Sequence, residues 1–215
     1  MIIVAGCGVH TETGEPARHN GIHRFFLAPN SHVKYVEKHI GTGKGFGIRT
    51  IDPVTEVFLE ENAVLEMDTA QIGGVDRTTR KTKATVAAGG KLLIRERILT
   101  EKEQTADTEF EVELNGEDSS ADIVSRSVAR DASRQSYVST IVGNAPCSGH
   151  SECDAIIDGT AVVDAAPKLW AHNADAALIH EAAIGKIAGE QILKLRTLGL
   201  TEEEAEKKII EGFLS

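Results

Sequence analysis

The sequence predicts a mainly β protein that ends in an α-helical hairpin, and three observations indicate this. Short β-type runs separated by Gly, Asn and Asp fill most of residues 22–181. Turn pairs recur about every 27 residues, at Gly89-Gly90, Asn115-Gly116 and Gly143-Asn144. Residues 182–215 change to helical periodicity. Periodicity alone fits two architectures equally, a β-helix with stacked coils and a β-sandwich.

The clearest single strand lies at residues 109–114. Glutamates alternate there with Phe110, Val112 and Leu114, so one face is apolar and the other is charged. The Asn115-Gly116 pair then turns the chain, as expected at the end of a half-buried strand.

Residues 1–21 are predicted to form an irregular lead-in, because they are rich in Gly, His and polar residues. His19 and His23 are four residues apart, but Asn20 and Gly21 argue against a helix that would place both on one face. Both histidines are therefore predicted to lie on the surface.

The C-terminal hairpin carries the strongest local signals. Apolar residues between Ile184 and Leu198 fall mostly at steps of three and four, which is typical of an amphipathic helix. Gly199 follows, as expected for a residue that closes a helix in a left-handed conformation. Thr201 and Glu204 then form a Thr-x-x-Glu capping box for a second helix. One side of that helix carries Ala205, Ile209 and Phe213.

Charge and composition exclude several classes of partner. The formal net charge is −10, and the segment from Glu101 to Asp122 contains nine acidic residues and one basic residue. Such a surface repels polyanions, so neither nucleic acid nor an anionic membrane is an expected partner. No apolar run approaches the roughly 20 residues of a membrane-spanning helix, and the start MIIVAGCGVH lacks a basic signal region. We therefore expect a cytoplasmic protein. Its three cysteines are an odd number in a reducing compartment, so they predict no disulfide framework.

Two alternative functions follow from residue types alone. Cys147, His150 and Cys153 are spaced by three and are soft or borderline ligands, which suggests a zinc-stabilised interaction module. In a strand, however, His150 would face away from both cysteines. The acidic residues at 101–122 suggest a β-helical carbohydrate-active enzyme, although aromatic residues for sugar stacking make up only 4% of the chain.

A series of ordered motifs runs through the last 60 or so residues. The series consists of Cys153-Asp154 with Gly159, then Pro167, His180-Glu181-Ala182, Glu190-Gln191-Ile192, Arg196 with Gly199-Leu200, and Gly212-Phe213. In this order they resemble the C-terminal part of the SufB/SufD family. The stretches HRFFLAPNSHVKYVE and KTKATVAAGGKLLIRERI look like the family's β-helix coils, so the resemblance covers about residues 22–214.

This resemblance implies a right-handed parallel β-helix over residues 22–181 and a helical hairpin over 182–215. It implies a scaffold for iron–sulfur cluster assembly in the cytosol, not an enzyme in its own right. Family members pair through the end of the β-helix, so a homodimer or a heterodimer with a paralogue is expected. They bind an ABC-type ATPase, SufC, through the C-terminal helices.

The resemblance also implies a site. Cys153 matches the cysteine proposed as sulfur acceptor and cluster ligand, and His180 and Glu181 match the family's other proposed ligands. The expected cargo is a transiently held iron–sulfur cluster, or iron. The residue chemistry agrees, because thiolate is the preferred cluster ligand and His or carboxylate can substitute for it. Cys153 and His180 are 27 positions apart, about one predicted coil. Cys147 has no counterpart in the family pattern.

Overall fold

The structure is a computed structural model that describes residues 1–215, and it contains fifteen strands and two helices. The strands are β1 (Ile2–His10), β2 (Ala17–His19), β3 (Ile22–Leu27), β4 (His32–Thr42), β5 (Arg49–Ile51), β6 (Val54–Leu59), β7 (Val64–Ile72), β8 (Arg77–Val86), β9 (Lys91–Thr100), β10 (Thr105–Leu114), β11 (Ser119–Ala129), β12 (Arg134–Gly143), β13 (Cys147–Ile157), β14 (Val162–Ala171) and β15 (Ala176–Gly185). The helices are α1 (Gly189–Thr197) and α2 (Glu202–Phe213).

Every strand pairs in parallel, and the strands form two sheets. Sheet A runs β1-β4-β7-β9-β11-β13-β15. Sheet B runs β14-β12-β10-β8-β5-β2, with β6 also pairing with β8 and β3 with β6. Because the chain alternates between the sheets and each strand pairs with the strand one coil later, the fold is a parallel β-helix of about six turns. This confirms the β-helix and excludes the β-sandwich.

Left-handed turn residues explain why Gly, Asn and Asp recur in the sequence. They occupy matching corners of successive coils, where a positive φ turns the chain from one sheet toward the other. One column of corners contains Asn30, Asn62, Gly89 and Asp118, and another contains Lys102, Asp131 and Gly159. Gly89 also lies so close to the Asn62 side chain that an added Cβ would stand 2.1 Å from its Oδ1.

The core is a column of small apolar layers between the two sheets. A cluster of 21 buried residues includes Leu65, Leu92, Val112 and Ile123, each 1% exposed or less. Inward positions are the alternate residues of each strand, as the pleat requires. Phe110 is among the few aromatic residues in this cluster, which agrees with the low aromatic content of the chain.

Two boundaries differ from the prediction. Residues 1–21 include the strands β1 and β2. The strand β1 forms because the backbone of Ile2–His10 pairs with β4. At the other end, β15 runs to Gly185 and α1 begins only at Gly189. Although the apolar residues from Ile184 onward have helical spacing, residues 182–185 form the end of β15 because they pair with β13.

The helical hairpin lies against the outer face of sheet A. The capping box is confirmed, since Thr201 Oγ1 accepts from the Glu204 amide and Glu204 Oε2 accepts from the Thr201 amide. Gly199 has a φ of +97°, as predicted for the residue between the helices. Ile210 of α2 lines a cavity of about 520 Å³ together with Ile72 of sheet A. Neither helix is long and apolar enough to cross a membrane.

Candidate functional site

Cys153 lies inside the β-helix near its C-terminal end. It sits in an inward column of sheet A, where its register partners are Ser125 on β11 and Ala182 on β15. The residue is only 2% exposed. Burial, with smaller contributions from Asp154 and Glu96, raises the pKa of the Cys153 thiol to about 12. The thiol is therefore protonated near neutral pH until a metal or a basic group removes its proton.

Hydroxyl groups fill the coil around this thiol. Ser151 Oγ lies 2.9 Å from Tyr137 Oη and 2.7 Å from Ser139 Oγ. One coil earlier, the Ser125 hydroxyl donates to Glu96 Oε2 over 3.3 Å. The interior beside Cys153 is thus partly polar and hydrogen-bonded.

His180 shares the inner face with Cys153. In the ladder it pairs with Ser151, two residues before the position opposite Cys153. Its Nδ1 atom is buried and has no hydrogen-bond partner. Such an orphaned nitrogen costs free energy unless a ligand or a proton acceptor reaches it. The structure therefore brings Cys153 and His180 into neighbouring positions, with a free nitrogen available.

Glu181 does not join them within one chain. It pairs with Glu152, and its side chain, 68% exposed, lies on the outer face of sheet A. There its Oε2 is 3.9 Å from His150 Nε2, while His150 Nδ1 lies 2.8 Å from Asp122 Oδ1. Because adjacent strand residues point to opposite faces, His180 and Glu181 serve different sides of the same sheet.

The zinc-module alternative is not supported by the geometry. Cys147 and Cys153 both face inward on β13, but six residues of strand place them about 20 Å apart. His150 faces outward. The three residues therefore do not converge within the chain.

The acidic strip at 101–122 also has a structural explanation. Glu109 and Glu111 point outward from β10 and pair with lysines of β8, Lys81 at 3.3 Å and Lys83 at 2.8 Å. These carboxylates form charge ladders between coils rather than a pair facing a substrate. The acidic residues at 101–122 therefore no longer support a carbohydrate-active enzyme.

A buried charge network in the middle coils was missed by the sequence analysis. Arg80 of sheet B reaches across the core to Glu96 of sheet A, with Nε 2.8 Å from Oε1. Its Nη1 lies 2.6 Å from His39 Nδ1, and its Nη2 lies 4.0 Å from Glu37 Oε2. All four side chains are 9% exposed or less. The strand alternation around residue 37 places Glu37 and His39 on the same face as buried Tyr35, which is the signal that could have revealed them.

The network keeps the Glu37 carboxylate ionised. Burial alone would raise its pKa, but the His39 ring 3.2 Å from Oε1, the Arg80 charge and His23 lower the pKa of Glu37 to about 2. Burial lowers the pKa of His39, so its ring is neutral near pH 7. A single guanidinium thus compensates two buried carboxylates.

Together these features define a class, a parallel β-helical protein whose last coils hold a buried thiol beside an unpartnered histidine nitrogen. Residues 3–213 match the family model described as SUF system FeS cluster assembly, SufBD core domain. The chain belongs to this family. The description of this family names iron–sulfur cluster assembly, in agreement with the resemblance seen in the sequence.

Three of the relatives are described as iron–sulfur cluster assembly SufBD family proteins. The protein of Methanothermobacter thermautotrophicus is 28% identical over 99% of this chain and 52% of its own length. That of Archaeoglobus fulgidus is 30% identical over 99% of this chain and 56% of its own. That of Pyrococcus horikoshii is 31% identical over 91% and 60%, respectively. The chain therefore spans roughly half to three-fifths of the length of these relatives.

Proposed function

We propose that this chain is a scaffold on which an iron–sulfur cluster, or its iron and sulfide precursors, is held transiently during assembly. The observation that carries the proposal is the placement of Cys153 beside the unpartnered Nδ1 of His180 on the inner face of the last coils. Thiolate and imidazole are both cluster or iron ligands. The cluster is the cargo of the protein and not a resident cofactor.

The burial of Cys153 suggests how loading is controlled. A thiol with a pKa of about 12 does not bind metal until it is deprotonated. Only β14 and β15 of the last coil lie between Cys153 and the C-terminal end of the β-helix. A modest displacement of β15 would expose Cys153 and His180 together, and Glu181 could contribute to the same site from a second subunit.

The end of the β-helix supports pairing with a second chain. The inward side chains Leu169 and Leu178 of the last coil lie over the core with no further coil to cover them, and Leu169 is 37% exposed. The strands β14 and β15 are also edges with one unpaired row of backbone groups. We propose that a second copy, or a paralogue, covers this end.

We further propose an ABC-type ATPase of the SufC kind as a partner that docks on the C-terminal helices. Ile209, Ile210 and Phe213 are half-buried against sheet A and its neighbouring segment, so they hold the hairpin in place. The apolar residues left for a partner are Leu193 on α1 and Leu198 directly after it, which are 61% and 73% exposed. In this proposal the partner hydrolyses ATP and this chain has no catalytic activity of its own.

The three cysteines are free thiols in the structure, which suits a reducing compartment such as the cytoplasm.

The proposed function is tested by anaerobic reconstitution of the purified chain with ferrous iron and sulfide. We expect the desalted protein to retain both iron and acid-labile sulfide with the visible absorbance of a cluster. Retention of zinc alone, with no iron or sulfide, would contradict the scaffold.

A further inference from the structure

Three potential metal ligands converge in the first coils, far from Cys153. They are Cys7 on β1, His23 on β3 and Glu37 on β4, and their ligand atoms all lie within 4.8 Å of one another. Cys7 Sγ is 3.9 Å from Glu37 Oε1, and His23 Nδ1 is 3.4 Å from the same oxygen. Four strand spacings of sheet A separate Glu37 from Cys153, which is about 19 Å.

Tyr35 holds this cluster in shape. Its hydroxyl donates to Glu37 Oε1 over 3.0 Å and contacts His23 Nδ1 at 3.2 Å. The Tyr35 and His23 rings meet edge to face, with centroids 5.9 Å apart. Both ligands are therefore oriented by a buried neighbour, as metal ligands in proteins commonly are.

His39 provides a second and independent observation. Its side chain is 0% exposed, and its Nε2 atom faces Glu37 Oε1 at 3.2 Å without making a hydrogen bond of good geometry. Arginine can only donate, so Nδ1 of His39 accepts from Arg80 and the ring proton is on Nε2. A buried, unsatisfied donor is thus aimed at the carboxylate of the cluster. If the Cys7 and His23 contacts of Glu37 shifted toward a bound cation, the His39 N–H group would donate to the Glu37 carboxylate.

We propose that Cys7, His23 and Glu37 form a binding site for one divalent first-row metal ion of borderline softness, such as Zn²⁺ or Fe²⁺. A thiolate, an imidazole and a carboxylate are the donor set that such ions accept and that Mg²⁺ or Ca²⁺ do not favour. Three protein ligands leave a fourth position open for water or another ligand. His23 is 24% exposed and Cys7 is partly exposed, so an ion can enter from solvent.

The site is tested with Co²⁺ alone, titrated anaerobically into the full chain after treatment with a chelator and in the absence of sulfide. We expect one equivalent to bind with a thiolate-to-cobalt charge-transfer band and the intense visible bands of a low coordination number. Zn²⁺ should displace it and abolish the bands. Cys7→Ser should lose the charge-transfer band, whereas Cys147→Ser and Cys153→Ser should keep it. An unchanged band in Cys7→Ser, or no band in the wild type, overturns the proposal.

A second measurement needs no variant. Alkylation of Cys7, followed by mass spectrometry of peptides, should slow at least tenfold when one equivalent of Zn²⁺ is present. The rate at Cys147 serves as the internal control and should not change. Equal alkylation of Cys7 with and without Zn²⁺ overturns the proposal. Because neither measurement uses iron or sulfide, and neither requires Cys153 as a ligand, their failure is distinct from failure of the proposed scaffold function.

Discussion

Cys153 and His180 lie on adjacent strands of sheet A, face the same interior and are offset by two residues in the ladder. That offset separates their Cα atoms by about 8 Å, a distance that two side chains can bridge through one iron atom or one cluster edge. The spacing of 27 residues in the sequence is therefore almost one coil of the β-helix. Glu181, one residue further along, is excluded from the same interior because the pleat turns it outward.

Replacement of Arg80 by Met should destabilise the protein strongly. It leaves the buried carboxylates of Glu37 and Glu96 without their shared cation, and removing one partner of a buried ion pair costs about 3–5 kcal/mol. Urea unfolding followed by circular dichroism measures the free energy of unfolding. The matched control is Lys81→Met on the same strand, whose exposed pair with Glu109 is worth about 0–1 kcal/mol. Equal losses in the two variants would contradict the role assigned to the network.

Stability of the metal-free protein should depend on the ionisation of Glu37. Its pKa is lowered from 4.5 to about 2 in the folded protein, so its contribution is fully present above pH 4.5 and is lost as the pH falls through 2. The difference corresponds to about 3 kcal/mol. Urea unfolding at several pH values, with chelator present, should show a smaller loss of stability on acidification for Glu37→Gln than for the wild type. The exposed Glu103→Gln should follow the wild type; identical curves for all three proteins would rule out this contribution.

Self-association should depend on the open end of the β-helix. Light scattering at micromolar concentration should give a mass near twice 23.0 kDa. Leu169→Asp places a charge on the inward face of β14 and should shift the mass toward the monomer. Lys168→Asp changes the adjacent, outward-facing residue and should leave the dimer intact. A wild type that stays monomeric at all concentrations, or a Leu169→Asp variant that still dimerises fully, would contradict this interface.

Binding of the ATPase should depend on the exposed leucines of α1 and its C-cap, Leu193 and Leu198. Leu198→Glu should weaken co-purification with the partner, because an exposed apolar residue at the centre of an interface is worth about 2 kcal/mol, roughly thirtyfold in affinity. Thr197→Glu adds the same charge one residue earlier and is the control. Circular dichroism should show that both variants remain folded. Equal binding by both variants would place the docking surface elsewhere.

Much of the fold could be predicted from the sequence because its signals are local. The glutamate alternation at residues 109–114 and the Gly, Asn and Asp corners each reflect a backbone requirement of one coil. The capping box of Thr201 and Glu204 is equally local. Pattern alone could not separate a β-helix from a β-sandwich, because strand alternation is the same in both and only the pairing partners differ.

The parts that the sequence did not predict are set by contacts between distant coils. Residues 1–21 looked irregular because Gly is frequent there, yet β4 supplies a ladder that makes β1 a strand. His23 was predicted to lie on the surface, but it contacts Tyr35 and Glu37 in the interior. Likewise, alternation along β8 places Arg80 on the same face as Ala84 and Val86, but it does not indicate that Arg80 contacts Glu96, since that contact exists only after the coils stack.

The most direct test of the scaffold compares Cys153→Ala with Cys147→Ala after anaerobic reconstitution with iron and sulfide. Both cysteines are buried on the inner face of β13, so the two variants remove the same group from the same strand. Cluster absorbance and acid-labile sulfide should be lost in Cys153→Ala and retained in Cys147→Ala, because only Cys153 neighbours His180. Iron and sulfide bound by Cys153→Ala to the wild-type level would contradict the assignment.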